Sequence, residues 1–198
     1  MSAFPSSTIR ALSLAGVAVL LAFGIRAFGS ELSFDAMKKL VRTRFPEVPQ
    51  LSTDELARWL RDPARQKPVL LDVRSEAEFA ISHLPGAIRV DPEATGAAVV
   101  RTLPAGRTVV AYCSVGYRSS ELARRLLRQG AKPVYNLEGS IFQWANEGRA
   151  LEAAGQPAAK VHPYNATFGH LLDPARRADP GGRGRSAVQS RKTIDLLP

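Results

Sequence analysis

Between residues 68 and 146 the chain alternates short apolar runs with stretches that open like helices. PVLLDVR (68–74), TVVAY (108–112) and PVYNL (133–137) are brief and rich in β-branched residues, so they read as strands buried in a sheet. After the Pro85–Gly86 turn, AIRV (87–90) is a further short strand. Ser75 followed by Glu78 spells a capping box that opens a short helix, EAEFAISH (76–83). ELARRLLRQG (121–130) is a helix with basic residues toward its end and Gly130 as its stop. SIFQWANEG (140–148) is a last helix, stopped by Gly148. Upstream, LSTDELARWLRD (51–62) carries a second capping box, Ser52 with Glu55, and a staple of Leu51 against Leu56. Strands alternating with helices imply a mainly parallel α/β sheet covered on both faces. Trp59 and Trp144 are assigned to its core.

One junction in this pattern carries chemistry. VVAYCSVGYRSSELARRLL runs from strand through a tight loop into a helix, and such loops lie at the carboxyl end of a parallel sheet, where sites form. Gly116 can take a backbone shape closed to other residues, and Ser119 or Ser120 can cap the helix. Successive backbone N–H groups then cradle an anion, helped by the helix N-terminus. Cys113 starts that cradle, so its thiol is expected below the free value of about 8.5 and reactive near neutral pH. Against this stands a buried, inert cysteine at a strand end.

The single cysteine excludes an internal disulfide framework and Cys-rich metal sites. His83, His162 and His170 lie far apart and give no metal-ligand spacing, and His83 suits a turn better than a general base. Of the net charge of +9, +8 lies in the flanks. Residues 1–45 and 174–198 each carry six basic against two acidic side chains, whereas 46–173 carry 15 against 14. Basic flanks suit an anionic membrane surface; a nucleic-acid partner is not expected, because the folded part lacks a basic excess.

Ala11 to Ile25 is uncharged and bracketed by Arg10 and Arg26. It reads as a transmembrane anchor within residues 1–28, with the arginines reaching the interfaces. Lys/Arg crowding after it places the C-terminal side in the cytoplasm. The alternatives are a secretory signal peptide cleaved near Ala27–Phe28–Gly29, which would release a periplasmic or secreted protein, and a buried core helix. The remaining divisions are a connector at 29–49, the α/β domain at 50–156, a C-terminal arm at 157–174 that packs on the domain, and a basic disordered tail at 175–198.

Three separated motifs carry a family resemblance. LLDVRSEAEFAISHLPGAIRV resembles the first rhodanese signature, CSVGYRSS the rhodanese active-site loop, and VYNLEGSIFQW the region after it, where Ser140 stands in place of the usual second glycine. The resemblance covers roughly residues 50–150 and implies a five-stranded, mostly parallel sheet flanked by helices, in the single-domain form. The fifth strand is then sought near residues 48–51 or elsewhere in the chain. It implies sulfur transfer: the Cys113 thiolate takes the outer sulfur of a donor such as thiosulfate as a persulfide and passes it to cyanide or a thiol, with no cofactor or metal, in a monomer. Ser114, Val115, Gly116, Tyr117, Arg118 and Ser119 form the substrate loop, supported by Asp72, Arg74 and Glu78. Arg118 either meets the anionic donor or pairs with Glu78. From Cys113 to Arg118 the loop has six residues, whereas the related phosphatases use seven, so phosphatase chemistry is disfavoured. The uncharged Ser114–Val115 pair leaves the donor open. A catalytically quiet binding or sulfur-carrier module is the alternative.

Overall fold

The computed structural model describes residues 33–131 and 133–179. Five strands, β1 (Gln50–Leu51), β2 (Val69–Asp72), β3 (Ile88–Arg89), β4 (Val109–Tyr112) and β5 (Val134–Leu137), form one sheet in the order β1-β5-β4-β2-β3. Every neighbouring pair in it is parallel. The fifth strand is β1, at the first of the places in which it was sought, paired through Gln50 with Asn136 and Leu51 with Leu137.

Side chains of a strand alternate between faces, and the two cores follow that alternation. Leu70, Val110, Tyr112 and Leu137 face α2 (Thr53–Arg61) and α6 (Ser140–Asn146). Val69, Leu71, Val109, Ala111 and Cys113 face α4 (Gly96–Thr102) and α5 (Tyr117–Arg128). Both capping boxes form, at Ser52–Glu55 on α2 and at Ser75–Glu78 on α3 (Glu76–Ile81). Trp59 and Trp144 are buried, each donating its indole N–H to a backbone carbonyl.

The flanks depart from the sequence reading. Much of the stretch read as a connector is a helix, α1 (Phe34–Arg44), with Ser33 at its N-cap. Met37, Val41 and Phe45 recur at four-residue spacing and are buried, so the helix docks by one apolar stripe. Arg42 fastens it, its fork meeting Glu138 at 2.7 and 3.0 Å. Beyond α6, β6 (Leu151–Ala153) and β7 (Gln156–Ala158) form a hairpin. The arm then adds α7 (Ala166–Gly169) and a 3-10 turn at Pro174–Arg176, and Val161, Leu171 and Leu172 join the core beside α2 and α6. The disordered tail does not begin at 175: Val161 N–H donates to the Arg176 carbonyl at 2.8 Å and Ala178 N–H to the Val161 carbonyl at 2.9 Å, which holds residues 175–179. The Ala11–Ile25 segment lies outside the described residues, among which no helix is long and apolar enough to cross a membrane. Residues 180–198 also lie outside them.

Candidate active site

Cys113 follows the last residue of β4, in the middle of the sheet, and is 1% exposed. The helix after it begins earlier than the serines suggested. Gly116 is the N-cap of α5, at φ 103°, and neither Ser119 nor Ser120 caps the helix. The Ser119 hydroxyl donates to Asn136 Oδ1 at 2.6 Å and the Ser120 hydroxyl to the Gly116 carbonyl at 2.7 Å. Glycine is required at 116 on two grounds: the positive φ, and a Cβ there would lie 3.2 Å from Asn136 Nδ2. With no side chain occupying them, first-turn amides turn toward the sulfur, and Gly116 N–H points at Cys113 Sγ from 3.2 Å.

The N-terminus of α6 holds the other side of the loop. Ile141 N–H donates to the Cys113 carbonyl and Phe142 N–H to the Ser114 carbonyl, both at 3.2 Å. Cys113 N–H in turn donates to Ser140 Oγ at 3.2 Å, and that hydroxyl donates to the Leu137 carbonyl at 2.9 Å. Ser140 sits at φ 52°, a left-handed backbone where glycine is usual. The serine that departs from the family pattern therefore supplies a hydroxyl that fixes the nucleophile's own amide.

Glu78 is brought onto the loop. Its carboxylate receives Arg118 Nη1 at 3.0 Å and Nη2 at 2.8 Å, and Ser114 Oγ at 3.1 Å, while still accepting Ser75 N–H at 3.0 Å from its capping box. Of the two roles open to Arg118, the structure shows the pairing with Glu78. Asp72 and Arg74 are fully buried and bond to each other, with Arg74 Nη2 donating to the Ser82 carbonyl at 2.6 Å. They brace the strand end and their hydrogen bonds do not reach the loop. His83 stacks on Phe79 at 3.8 Å in the turn after α3, consistent with a turn-organising residue.

Burial pushes the Cys113 thiol up, but the Arg118 charge and the bonds from Ser119 and Gly116 outweigh it and hold the thiol below its ordinary value. Because Asn136 takes the one proton of the Ser119 hydroxyl, the lasting stabilisation comes from Arg118 and the two backbone amides. Burial would raise the Glu78 carboxyl, yet the bonds from Arg118 and Ser75 bring it down to about 2.

Cys113, Ser114, Val115, Tyr117 and Arg118 open on a cavity of about 390 Å³. Met37 and Leu40 of α1 and Tyr164 and Phe168 of the arm complete its walls, and sequence reasoning had assigned none of the four to the site. The four-residue stripe of α1 was the available signal for Met37; Tyr164 and Phe168 stood in the aromatic stretch 161–174.

A lowered thiol under a cradle of amides, at the carboxyl end of the central strand, defines an α/β domain built around one cysteine loop. Residues 52–147 match the Rhodanese-like domain, and this part of the chain belongs to that family. Among curated proteins, the chain is 30% identical over 146 residues to a tRNA uridine(34) hydroxylase of Cupriavidus necator, a match covering 69% of this chain and 50% of the relative. It is 35% identical over 94 residues to the probable adenylyltransferase/sulfurtransferase MoeZ of Mycobacterium tuberculosis, covering 47% of this chain and 24% of the relative. Among solved structures, a thiosulfate sulfurtransferase from Pseudomonas aeruginosa superposes with a TM-score of 0.52 at 26% identity, over 70% of this chain and 26% of that one. The chain spans about half the length of the hydroxylase relatives it matches.

Proposed function

We propose that this protein is a sulfurtransferase that carries sulfane sulfur as a persulfide on Cys113. The observation that carries the reading is the amide cradle, with Gly116 N–H 3.2 Å from Sγ and Arg118 close enough to lower the thiol. The thiolate attacks the outer sulfur of a donor such as thiosulfate. The S–S bond of the donor breaks, sulfite leaves with the electron pair, and the persulfide bears the negative charge. The loop amides that held the thiolate then hold the terminal sulfur anion, as preorganised dipoles do for developing charge. A thiolate or cyanide attacks that sulfur and restores Cys113. No proton transfer is needed once the thiolate exists.

Intact mass of the full chain after incubation with thiosulfate tests this. A gain of one sulfur, absent in Cys113→Ser, supports it; no gain with thiosulfate or any other sulfane donor sinks it. The name of the Cupriavidus relative suggests a second reading, oxidation of a tRNA uridine, favoured by the length of that match. Binding of unmodified tRNA by the full chain separates the two, since the persulfide reading requires none. We further propose a monomer anchored in the membrane by a helix within residues 1–28 with the domain facing the cytoplasm; recovery of full-length protein in the soluble fraction would overturn the anchor.

A further inference from the structure

The mouth above Cys113 contains parts that sulfur transfer alone does not require. Its walls come from both flanks of the family-matched segment: Met37 and Leu40 from α1, Tyr164 and Phe168 from the arm, with Val115 and Tyr117 of the loop between them. Tyr164 is held at φ 64°, a strained backbone for a bulky residue, and its N–H donates to His162 Nδ1 at 3.0 Å. In that position its ring packs edge-on to Phe168 at 5.7 Å and covers the Arg118 guanidinium at 4.7 Å. Leu40 is left 49% exposed on the rim.

Charge completes the argument. Among the described residues lining the cavity, Arg118 is the one cation, and it is already engaged. Both terminal nitrogens donate to Glu78, Nη2 donates to Ser114 as well, and one face lies against Tyr164. A dianion entering here would exchange water for leucine, methionine and aromatic rings, with no free cation to meet it. An organic donor shifts the balance: it brings one negative charge instead of two, and its apolar group gains by burial.

Resting on the persulfide reading above, we propose that the cavity selects organic sulfane-sulfur donors, of the thiosulfonate type R–SO2–S⁻, whose leaving group carries an apolar R. Displacement at sulfur is in-line, so the leaving group must lie on the side of the transferred sulfur away from Cys113, which is where these walls stand. The Cys113 thiolate forms the new S–S bond, the sulfur–sulfonyl bond breaks, and the electron pair departs with the sulfinate R–SO2⁻. The charge is unchanged in total and nothing is oxidised outside the pair.

The test mixes the full chain with inorganic thiosulfate, methanethiosulfonate or benzenethiosulfonate and follows persulfide on Cys113 by intact mass. Each rate is divided by that of the same donor with free cysteine, which removes intrinsic reactivity. Benzenethiosulfonate should exceed methanethiosulfonate by about tenfold or more, the scale on which apolar pockets discriminate, with thiosulfate slowest. Leu40→Glu on the exposed rim should cut the phenyl-to-methyl ratio by about threefold or more, one methylene's worth of burial. Equal normalised rates overturn the inference, as does a slower phenyl donor, which would mean that another part of the chain fills the cavity. An unchanged ratio in Leu40→Glu overturns the assignment of these walls. Failure of all three donors to load Cys113 overturns the sulfur-transfer reading itself, and the inference with it.

Discussion

Arg74 meets Asp72 out of reach of solvent: both side chains are fully buried, and Arg74 also donates to the Ser82 carbonyl. Arg118 meets Glu78 at the mouth of a cavity, with a quarter of its side chain exposed and Cys113 near enough to feel its charge. The chemical pair is the same, an arginine fork on a carboxylate. What differs is the third neighbour. A carbonyl beside Arg74 makes the pair a strut between β2 and the end of α3, while a thiol beside Arg118 is held low by the charge of that pair's arginine. The pairing itself decides neither role; the surroundings of the spare charge do.

The largest expected effect lies at the strut. Asp72→Ala leaves a guanidinium buried without its counter-ion, and the domain should lose about 3–5 kcal/mol in denaturant unfolding. A loss under about 1 kcal/mol would mean that water replaces the carboxylate, and the contrast in burial would collapse. Acid comes next. The folded Glu78 carboxyl, at about 2, lies below its reference of 4.5, so its contribution is fully present above pH 4.5 and disappears as pH falls toward 2. That contribution is on the order of 3 kcal/mol, and unfolding curves from pH 6 to pH 2 should show it in the wild type and not in Glu78→Gln.

Arg118→Met sharpens the comparison most directly. It leaves the Glu78 carboxylate without its fork and should cost about 1–3 kcal/mol. Its diagnostic effect is on the thiol: the pH midpoint of Cys113 alkylation should move up, because the positive charge that lowers the thiol is gone. Asp72→Ala, studied where it is folded, should keep the wild-type midpoint. Equal shifts in both variants would erase the distinction between the two pairs. The smallest effect is expected for Ser140→Gly, which relaxes a left-handed backbone but removes the acceptor for Cys113 N–H. The two changes oppose each other, and net stability should move by about 1 kcal/mol or less.

Strands β2 to β5 and helices α2, α3, α5 and α6 were legible because β-branching, helix stops and two capping boxes all pointed the same way; β1 followed only from the family resemblance, and α4, a short helix opened by a glycine, was not read. Cys113 was legible because a strand, a glycine and a helix flanked it. The start of α5 was misplaced because serine is the usual cap, and only the geometry shows that both hydroxyls are used elsewhere, at Asn136 and Gly116. Helix α1 was hidden by its four Lys/Arg residues, although Met37, Val41 and Phe45 mark a buried stripe. Tyr164 and Phe168 were not legible as site residues at all. They follow Cys113 by some fifty positions, and what brings them to it is the packing of Val161, Leu171 and Leu172 against the far side of the sheet.

The four distant walls of the mouth have a consequence for how this protein can change over time. The nucleophile and its amides are encoded within residues 52–147, while Met37, Leu40, Tyr164 and Phe168 are encoded outside them. Mutations, insertions or exchanges in the two ends can therefore reshape the walls around Cys113 without touching the loop that holds it. The middle of such a gene is free to stay the same while its ends diversify.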